Sequence, residues 1–451
     1  STLSSSSAAS DVYKRQVIGA ARSGIAVSKL LLKNGYHVVL TDSNAIKEKT
    51  ELESMGIEVF DGGHPDSLKE KKYAFIVKNP GIPYRVPFVH YFVEQNAKIY
   101  TEIEVAYRYA KNFNYAAVTG TDGKTTVTTL LYEMLNRQKK SLVAGNIGTP
   151  LCELALEYTD EDYNVALELS NFQLLGIETF RPHVSTVTNL APDHLDYMDS
   201  LEAYYESKMR IYENTNADDY FIRNVDDENV VKYAQNIPCH VIDFSLKRKD
   251  VDLYKDDKYA YYRDTQLFTL SDLKIVGEFN CGNAMMASCM AYLMGVSLFN
   301  IQEVIREFSG VEHRIEYVDT IDNVRFYNDS KATNTHAACA GLSAFEKNVI
   351  LLCGGKDKHI SFDDLKQYDG VVKKCISFGQ TKDKFKDIFT SQMSVETMKD
   401  AFEKAVLLAK PGDIVLLCPA CSSFDQFKNY EIRGEIFKQM VHEYAAKRNE
   451  E

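Results

Sequence analysis

The sequence of 451 residues lacks several features that mark particular functional classes. It has no run of about 18 apolar residues, so it predicts no membrane-spanning helix. It also lacks a basic excess, since 52 Lys and Arg against 64 Asp and Glu give a net charge of −12. That charge argues against binding to nucleic acid or to an anionic membrane surface. Phosphate-bearing ligands are not excluded, because local loops bind anions whatever the net charge.

No disulfide framework or secretory signal is visible either. The nine cysteines are odd in number and irregularly spaced, which predicts free thiols in a reducing cytoplasm. Cys418 and Cys421 form a close pair, but no second pair completes a four-thiolate zinc site. Buried structural thiols are therefore favoured over redox chemistry. The N-terminal segment has no apolar stretch of the kind a secretory signal needs, so we expect a cytoplasmic protein.

What the sequence does contain is the pattern of an α/β protein. Short apolar runs alternate with helical patterns nearly throughout, which is typical of parallel α/β units. The length suggests about three domains at about 150 residues each. We predict domains at residues 1–105, 106–311 and 312–451.

The N-terminal region has the layout of a nucleotide-binding βαβ unit. A strand starting at Val17 leads into a glycine turn at 19–24, a helix follows, and the next strand ends on Asp42. Ala21 stands where the dinucleotide fingerprint has its middle glycine, so another phosphate-bearing ligand is favoured over a dinucleotide. Residues 1–16 supply almost no strand-like alternation, and we interpret them as foreign to the fold.

The strongest local signal lies between an apolar strand and a helix. Its glycines let backbone N–H groups face a phosphate at the helix N-terminus. Its lysine can neutralise the β- and γ-phosphates, and the threonine after it can ligate Mg²⁺. Valine at 118 departs from the full Walker motif, yet the Lys-Thr pair favours ATP binding over a plain turn. The predicted ATP-binding residues of this loop are Gly120, Thr121, Asp122, Gly123, Lys124, Thr125 and Thr126.

Two further strands end in side chains that suit a magnesium–phosphate site. Glu168 ends an apolar strand, and His194 follows the strand Val184–Thr188 among aspartates. Both can reach a bound nucleotide, because the carboxyl ends of parallel strands line one crevice. From the pattern alone, a capping or solvent role for His194 stays equally open. Lys208, in a helix predicted over Tyr204–Tyr212, has the pattern of a solvated lysine.

Polar residues further along the chain form a second group of candidates. Asn280 and Asn283 lie at a helix start, where their amides can read an adenine edge or simply cap the helix. Arg314 can reach a transferring phosphoryl group or form a surface ion pair. The segment Asp329–Asn334 ends a strand and opens a helix, which makes an anion-facing terminus.

Together these motifs resemble those of the Mur ligases, the ATP-dependent amide-forming enzymes of peptidoglycan precursor synthesis. The resemblance covers the chain from Val17 onward. The branch of the family that adds D-glutamate is indicated by residues 418–434, and the D-N-P-R signature of the lysine- or diaminopimelate-adding branch is absent from the sequence. The matching segments, in the family's order, are T-G-T-D-G-K-T-T (119–126), G-N-I-G (145–148), E-L-S-N-F-Q-L (168–174), Asn189–Asp196, 277–283, H-R (313–314) and N-D-S-K-A-T-N (328–334).

The resemblance implies a Rossmann-like UDP-sugar domain, a central P-loop ATPase-like domain and a C-terminal Rossmann-like amino-acid domain. Its implied ligands are ATP, Mg²⁺, UDP-N-acetylmuramoyl-L-alanine and D-glutamate, joined through an acyl phosphate. We expect no nucleic acid partner, no membrane insertion and a monomer. The implied catalytic residues are Lys124, Glu168, His194, Lys208, Arg314 and Lys331, and the implied metal ligands are Thr125, Glu168, His194 and Lys208 as a carbamate.

The resemblance also implies binding residues. Phe279 departs from the family, which often has histidine there. For ATP, Asn280, Asn283, Arg314 and Asp329 join the loop residues. For the UDP-sugar the residues are Ser23, Asp42, Asn79, Gly81 and Asn146, and for D-glutamate they are Thr333, Lys358, Ser423, Phe424 and Tyr430.

Three alternatives stay open at this point. The first is another Mur-type or folylpolyglutamate-type ligase that uses a different amino acid. The second is a nicotinamide oxidoreductase built on the N-terminal βαβ unit, which the broken glycine pattern disfavours. The third is a P-loop switch or binding module, which would leave Glu168, His194 and Lys208 without a purpose.

Overall fold

A computed structural model describes residues 14–193, 198, 200–357 and 361–450 of the chain. It contains three β-sheets in consecutive stretches of sequence, each flanked by helices. The chain divides into two compact units, one with the residues up to Leu267 and Asn283–Ile301, the other with Phe268–Gly282 and the residues from Gln302 onward. The three sheets confirm the predicted α/β class, whereas the domain boundaries after 105 and 311 stay predictions. In the described parts, no helix is long and apolar enough to cross a membrane.

The first sheet is parallel and has the strand order β3-β2-β1-β4-β5. Its first helix, α1, buries Val27 and Leu31 and ends before Gly35, whose φ of 82° suits a residue without a side chain. The strands are β1 (Lys14–Ile18), β2 (His37–Thr41), β3 (Glu58–Phe60), β4 (Phe75–Lys78) and β5 (Ile99–Tyr100). The helices are α1 (Arg22–Lys33), α2 (Lys49–Ser54), α3 (Pro87–Glu94) and α4 (Glu102–Tyr109).

Strand β1 corrects the sequence prediction, because it begins at Lys14 and not at Val17. Residues 14–16 pair in parallel with β2, and Arg15 and Gln16 also pair with β4, so their backbone belongs to the sheet. The guanidinium of Arg15 lies 4.3 Å from the Tyr36 ring centre, while the buried amide of Gln16 has no hydrogen-bond partner among the described residues. Backbone pairing therefore forms the strand, even though its first residues carry polar and charged side chains in place of apolar ones. Residues 1–13 lie outside the described part.

The second sheet has nine strands in the order β14-β13-β12-β11-β10-β9-β6-β8-β7. The pairs from β12 to β7 are parallel, and β12 pairs with β13 in antiparallel fashion. The strands are β6 (Phe113–Thr119), β7 (Ser141–Gly145), β8 (Tyr163–Glu168), β9 (Val184–Val187), β10 (Tyr220–Asn224), β11 (His240–Phe244), β12 (Leu253–Lys255), β13 (Tyr259–Tyr262) and β14 (Thr265–Thr269). The helices are α5 (Lys124–Gln138), α6 (Leu151–Glu157), α7 (Asn171–Leu174), α8 (Leu201–Met209), α9 (Glu228–Tyr233), α10 (Glu278–Leu293) and α11 (Leu298–Glu307).

Two buried carboxylates on α4 join the first sheet to the second. Glu102 accepts hydrogen bonds from the backbone N–H groups of Leu151 and Cys152 at the start of α6, at 3.3 and 2.9 Å. Glu104 accepts from the three consecutive N–H groups of residues 178–180, at 2.9 to 3.0 Å. Hydrogen bonds of a carboxylate to several backbone donors are strong, so α4 fixes the first sheet against the second within the first unit.

The third sheet has the order β15-β16-β20-β17-β18-β19, with only the β15–β16 pair antiparallel among the pairs that join its described strands. Because β16, β17 and β20 run parallel, the segments that follow them emerge at one edge of the sheet. The strands are β15 (Glu316–Ile321), β16 (Val324–Asn328), β17 (Val349–Gly354), β18 (Val372–Phe378), β19 (Gln392–Ser394) and β20 (Ile414–Leu417). The helices are α12 (Thr335–Leu342), α13 (Met398–Leu408) and α14 (Tyr430–Glu450).

Candidate active site

The predicted phosphate loop joins the end of β6 to the start of α5. Gly120 and Gly123 have φ angles of 143° and 79°, in a region that side chains avoid. A Cβ atom on Gly120 would lie 1.9 Å from Oγ1 of Thr188. One on Gly123 would lie 2.5 Å from Oδ1 of Asn283, which places that predicted ATP-binding residue against the loop. Both glycines are therefore required by the conformation of the loop and by its neighbours.

The segment after β9 holds this loop in place. Thr188 Oγ1 donates a hydrogen bond to the carbonyl oxygen of Asp122 at 2.6 Å. Asn189 Oδ1 accepts from the N–H of Asp122 at 2.9 Å, and the Asn189 carbonyl accepts from Thr121 at 3.0 Å. Thr188 had no role in the sequence analysis. The one sequence feature that could have indicated this role is that Thr188 directly follows strand β9, which pairs with β6.

Lys124 opens helix α5 with its side chain turned back over the loop. Its Nζ donates to the carbonyl oxygen of Thr121 at 2.7 Å, so the ammonium group lies beside the backbone that faces the helix N-terminus. Thr125 and Thr126 follow in the first turn of the helix. This arrangement places a cation and a hydroxyl at an anion-binding helix end.

Glu168 ends β8 with its carboxylate buried. Its Oε1 accepts from the side-chain amide of Asn146 at 2.8 Å, and its backbone carbonyl accepts from the N–H of Asn146 at 2.8 Å. Its Oε2 is buried without a hydrogen-bond partner among the described residues. A buried carboxylate oxygen that lacks a donor suits a divalent cation, because oxygen anions are the ligands that Mg²⁺ prefers.

Lys208 corrects the solvated-lysine interpretation, because its side chain is only 1% exposed. Its Nζ donates to the carbonyl oxygen of Gly120 at 2.7 Å and lies 4.7 Å from the ring centre of Tyr204. Burial, and then the charge of Lys124, lower the pKa of Lys208 to about 7. The helix that carries it, α8, ends at Met209, and a 3₁₀ turn continues over Arg210–Tyr212. Lys208 thus contacts the glycine loop, whereas His194 lies outside the described residues.

Four of the predicted UDP-sugar residues line one cavity of about 310 Å³ in the first unit. Ser23, Asn79, Gly81 and Asn146 all border it. The side-chain amide of Asn79 donates to Ser23 Oγ at 3.2 Å, and its carbonyl oxygen accepts from the N–H of Gly81 at 3.0 Å. Asp42, the fifth, instead accepts from the N–H of Ala20 in the glycine turn at 2.7 Å. Glu102, Ser170 and Gln173, to which the sequence analysis assigned no role, complete part of the lining.

In the second unit, the predicted phosphate-facing residues lie at the two ends of the β15–β16 hairpin. Arg314 precedes β15, and Asp329 and Lys331 follow β16. Asp329 is nearly fully buried and accepts from the N–H of Ile315 at 3.2 Å and from the thiol of Cys418 at 3.4 Å. Burial raises the pKa of Asp329 to about 7. The Nζ of Lys331 lies 5.4 Å from the ring centre of Tyr430. Arg314 is exposed.

The backbone around Arg314 is strained. His313 and Ile315, on either side of it, have φ angles of 63° and 45°, in a region that a β-branched residue such as isoleucine rarely adopts. Strain of this kind persists only where the surrounding structure imposes it, and it concentrates at functional sites.

The D-glutamate candidates lie around the same edge of the third sheet. Ser423 is buried and its carbonyl accepts from the N–H of Phe427 at 2.8 Å. Phe424 is 64% exposed, and Thr333 and Tyr430 are half-buried. Lys358 lies outside the described residues. The described candidates thus range from the buried Ser423 to the exposed ring of Phe424.

The helix start at 278–280 lies in the second unit. The side-chain amide of Asn280 donates to the carbonyl oxygen of Val276 at 2.8 Å, a local contact with the residue four positions before it. Phe279 is 45% exposed, and a Cβ atom on Gly277 would lie 2.8 Å from its ring. Cys418 and Cys421 are buried and free, as predicted for structural thiols.

Comparisons with known proteins show which family and which solved structures the chain resembles. A family model for the Mur ligase middle domain matches residues 118–291, and one for the Mur ligase glutamate ligase domain matches residues 313–421. A UDP-N-acetylmuramoylalanine–D-glutamate ligase of Geobacillus sp. (strain WCH70) is 42% identical over 438 residues, covering 94% of this chain and 96% of the relative. One of Bacillus cereus (strain G9842) is 40% identical over 436 residues, with the same coverage of 94% and 96%.

Solved structures share the fold at low sequence identity. UDP-N-acetylmuramate–alanine ligase MurC from Thermotoga maritima has a TM-score of 0.55 at 18% identity and covers 96% of this chain and 99% of its own. MurF ligase from Thermotoga maritima in complex with ADP has a TM-score of 0.56 at 16% identity, with coverages of 91% and 96%.

Proposed function

Because the chain belongs to the Mur ligase family, we propose that it joins D-glutamate to UDP-N-acetylmuramoyl-L-alanine in peptidoglycan precursor synthesis. ATP is cleaved to ADP and phosphate in the reaction. The observation that carries the proposal is the contact of Lys124 and Lys208 with one glycine loop, beside which Glu168 pairs with Val118 in the neighbouring strand. Substrate identity is supported by the names of relatives that span nearly the whole chain.

In the proposed reaction, the alanyl carboxylate attacks the γ-phosphoryl group of ATP and forms an acyl phosphate. The amine of D-glutamate then attacks the acyl carbon, and phosphate leaves as the amide bond forms. The N–H groups of the glycine loop and the ammonium of Lys124 offset the negative charge that develops on the transferring phosphoryl group. Thr188 and Asn189 keep that loop in position through their hydrogen bonds to residues 121 and 122.

Mg²⁺ is part of this proposal, and the described residues fit it. The unpartnered Oε2 of Glu168 provides a buried anionic ligand, and Thr125 provides a hydroxyl at the helix start. We propose that His194 and Lys208 complete the ligand set. The ion, when bound, neutralises phosphate charge and polarises the transferring group. Asn146 orients the Glu168 carboxylate toward this role.

A further part of the proposal is that Lys208 carries a carbamate. The ammonium first loses a proton, and the neutral Nζ then forms a bond to the carbon of CO₂ and loses a second proton. A cation thereby becomes an anion that can act as a metal ligand. Lys208 is buried against Gly120. This burial supports the assignment, because a lysine whose only role was to be solvated would lie at the surface.

The remaining residues keep the roles that the resemblance implies. For ATP these are Asn280, Asn283, Arg314 and Asp329, with Arg314 and Lys331 also catalytic. The UDP-sugar is assigned to the cavity of Ser23, Asn79, Gly81 and Asn146, together with Asp42, and D-glutamate to Thr333, Lys358, Ser423, Phe424 and Tyr430. We also propose a monomer in the cytoplasm, the compartment that suits the free cysteines of the described chain.

ADP release tests the proposed function most directly. We expect release with UDP-N-acetylmuramoyl-L-alanine and Mg²⁺ only when D-glutamate is also present, with one amide product per ADP. Parallel assays with L-alanine, L-lysine and L-glutamate test the alternative ligases. Amide formation with one of these instead of D-glutamate would overturn the substrate assignment, and ADP release without any amide product would overturn the ligase assignment.

A further inference from the structure

The most deeply buried charge of the second unit is the guanidinium of Arg433. It lies in the first turn of α14 and has no solvent exposure. No described carboxylate forms an ion pair or a hydrogen bond with it. A buried charge without a directly bonded carboxylate is costly, so hydrogen bonds to neutral groups must supply much of the compensation.

Arg433 directs its donors at two separate loops. Its Nε donates to Ser330 Oγ at 3.0 Å and its Nη2 to the Ser330 carbonyl at 2.7 Å. Its Nη1 donates to the carbonyl oxygen of Cys421 at 3.0 Å. One planar group therefore connects the loop that follows β16 to the loop that follows β20.

Ser330 also connects Arg433 to Tyr430, one of the proposed D-glutamate residues. Ser330 Oγ donates to the carbonyl oxygen of Tyr430 at 2.8 Å, and the Tyr430 ring lies under the Nζ of Lys331 at 5.4 Å. The Arg433 side chain has no exposed surface with which to contact a ligand. Any effect on the site is therefore transmitted through Ser330, Cys421 and the loops that contain them.

Lysine could not make the same connection. A guanidinium presents several N–H donors in one fixed plane, whereas an ammonium is a compact point charge on a flexible stem. Replacement by lysine keeps the charge but loses the simultaneous contacts with both loops. The replacement also leaves the carbonyl oxygen of either Ser330 or Cys421 without its hydrogen-bond donor.

We propose that Arg433 is a positioning residue that sets the spacing between the 329–331 and 421–423 loops and thereby the affinity for D-glutamate. This inference rests on the proposed function, in which Ser423 and Tyr430 contact D-glutamate. Binding of the UDP-sugar, assigned to a cavity of the first unit, does not depend on this spacing.

Steady-state kinetics of Arg433→Lys test the proposal. We expect the KM for D-glutamate to rise about tenfold, equivalent to about 1.4 kcal/mol, with the KM for UDP-N-acetylmuramoyl-L-alanine unchanged. A purely structural role would lower the amount of active enzyme and so reduce kcat with both KM values unchanged. That result, or a proportional rise of both KM values, overturns the proposal. Arg448→Lys is the matched control, because Arg448 lies on the same helix in an exposed ion pair with Asp322.

Ser330→Ala provides a second variant that does not depend on the folding of Arg433→Lys. It removes the hydroxyl between Arg433 and Tyr430, and we expect the same selective rise in the KM for D-glutamate. In the double variant the two effects should be less than multiplicative, because both break one connection. An unchanged KM in Ser330→Ala, or independent effects in the double variant, contradicts the proposal. Failure of the wild-type enzyme to use D-glutamate would instead contradict the proposed function.

Discussion

The side-chain amide of Asn146 donates a hydrogen bond to Oε1 of Glu168 at 2.8 Å, while Oε2 of the same carboxylate lacks a partner in the described structure. The pair joins the turn after β7 to the end of β8. One oxygen is thus fixed by the protein, and the other has no donor among the described residues. This division is the arrangement expected when a protein orients a carboxylate for a cation.

Asn146→Ala should therefore weaken the use of Mg²⁺. Without the amide, the Glu168 carboxylate loses the donor that orients it, and we expect the Mg²⁺ concentration for half-maximal activity to rise by about 10- to 100-fold. Titration of ADP release with Mg²⁺ measures this change. Asn114→Ala, at an exposed position of β6, should leave the titration unchanged. An unaltered Mg²⁺ requirement in Asn146→Ala argues against a metal at Glu168.

Lys124→Ala should abolish turnover and leave the fold intact. The ammonium is the loop's charged donor, and loss of one such group from a preorganised site lowers kcat by about 10²-fold or more. Circular dichroism and ADP release with all substrates measure the two properties. Lys139→Ala, at the exposed C-cap of the same helix, should retain activity. Normal ADP release by Lys124→Ala would falsify the assignment of the loop.

Lys208→Ala should also be inactive, but small carboxylates should restore part of its activity. If the lysine functions as a carbamate, the vacated space needs an anion, which acetate or formate can supply. We expect a loss of about 10²-fold or more and partial recovery in acetate. Methylammonium is the control, because it replaces a cation. Rescue by methylammonium and not by acetate would show that Lys208 works in its charged amine form.

Gln16→Leu should stabilise the protein. The Gln16 side chain is fully buried and its amide has no partner among the described residues. Removal of a buried unsatisfied polar group is expected to raise the free energy of unfolding by about 1 to 3 kcal/mol. Urea denaturation measures the difference, with Gln95→Leu on the exposed end of α3 as the matched control. A lower unfolding midpoint for Gln16→Leu would mean that the amide has a partner in solution.

Glu104 should make the stability of the first unit depend on pH. Its burial raises its pKa, but the N–H groups of Glu178 and Thr179 and the Thr179 hydroxyl outweigh this effect, so the pKa lies below the ordinary 4.5. A carboxylate with a lowered pKa stabilises the fold above pH 4.5 and loses that contribution as the pH falls through the folded-state pKa.

Glu104→Gln should reduce this dependence. We expect a free energy of unfolding lower by about 2 kcal/mol at pH 7 and a weaker loss of stability below pH 4.5. Denaturant titrations at a series of pH values measure both changes. Glu48→Gln, at an exposed carboxylate, should keep the wild-type profile. A variant with the wild-type slope below pH 4.5 would assign the acid sensitivity to other groups.

The sequence was most informative where the chemistry is local. The phosphate loop, with its strand before and helix after it, could be predicted because Gly120, Gly123 and Lys124 lie within five consecutive positions. The apolar run Val184–Thr188 likewise predicted a strand, which the structure has as Val184–Val187. In each case the evidence lies in neighbouring residues, which a reader of the sequence can see together.

Tertiary contacts were not visible in the same way. Lys208 has the pattern of a solvated lysine, and only the packing of α8 against the loop buries it. Thr188 gained its role because β9 pairs with β6, and Glu102 because α6 starts beside it. Lys14–Gln16 form a strand through backbone pairing, although the pattern of their side chains does not predict one. Such properties depend on partners more than 20 residues away.

The contact between Lys124 and the Thr121 carbonyl has a consequence for measured nucleotide affinity. An ammonium has three N–H donors, so a phosphate oxygen can accept from Nζ while the Thr121 carbonyl keeps its hydrogen bond. The carbonyl holds the lysine in place before a nucleotide binds, so less side-chain freedom is lost on binding. The contact thus makes the ammonium part of a preformed loop and favours tighter binding.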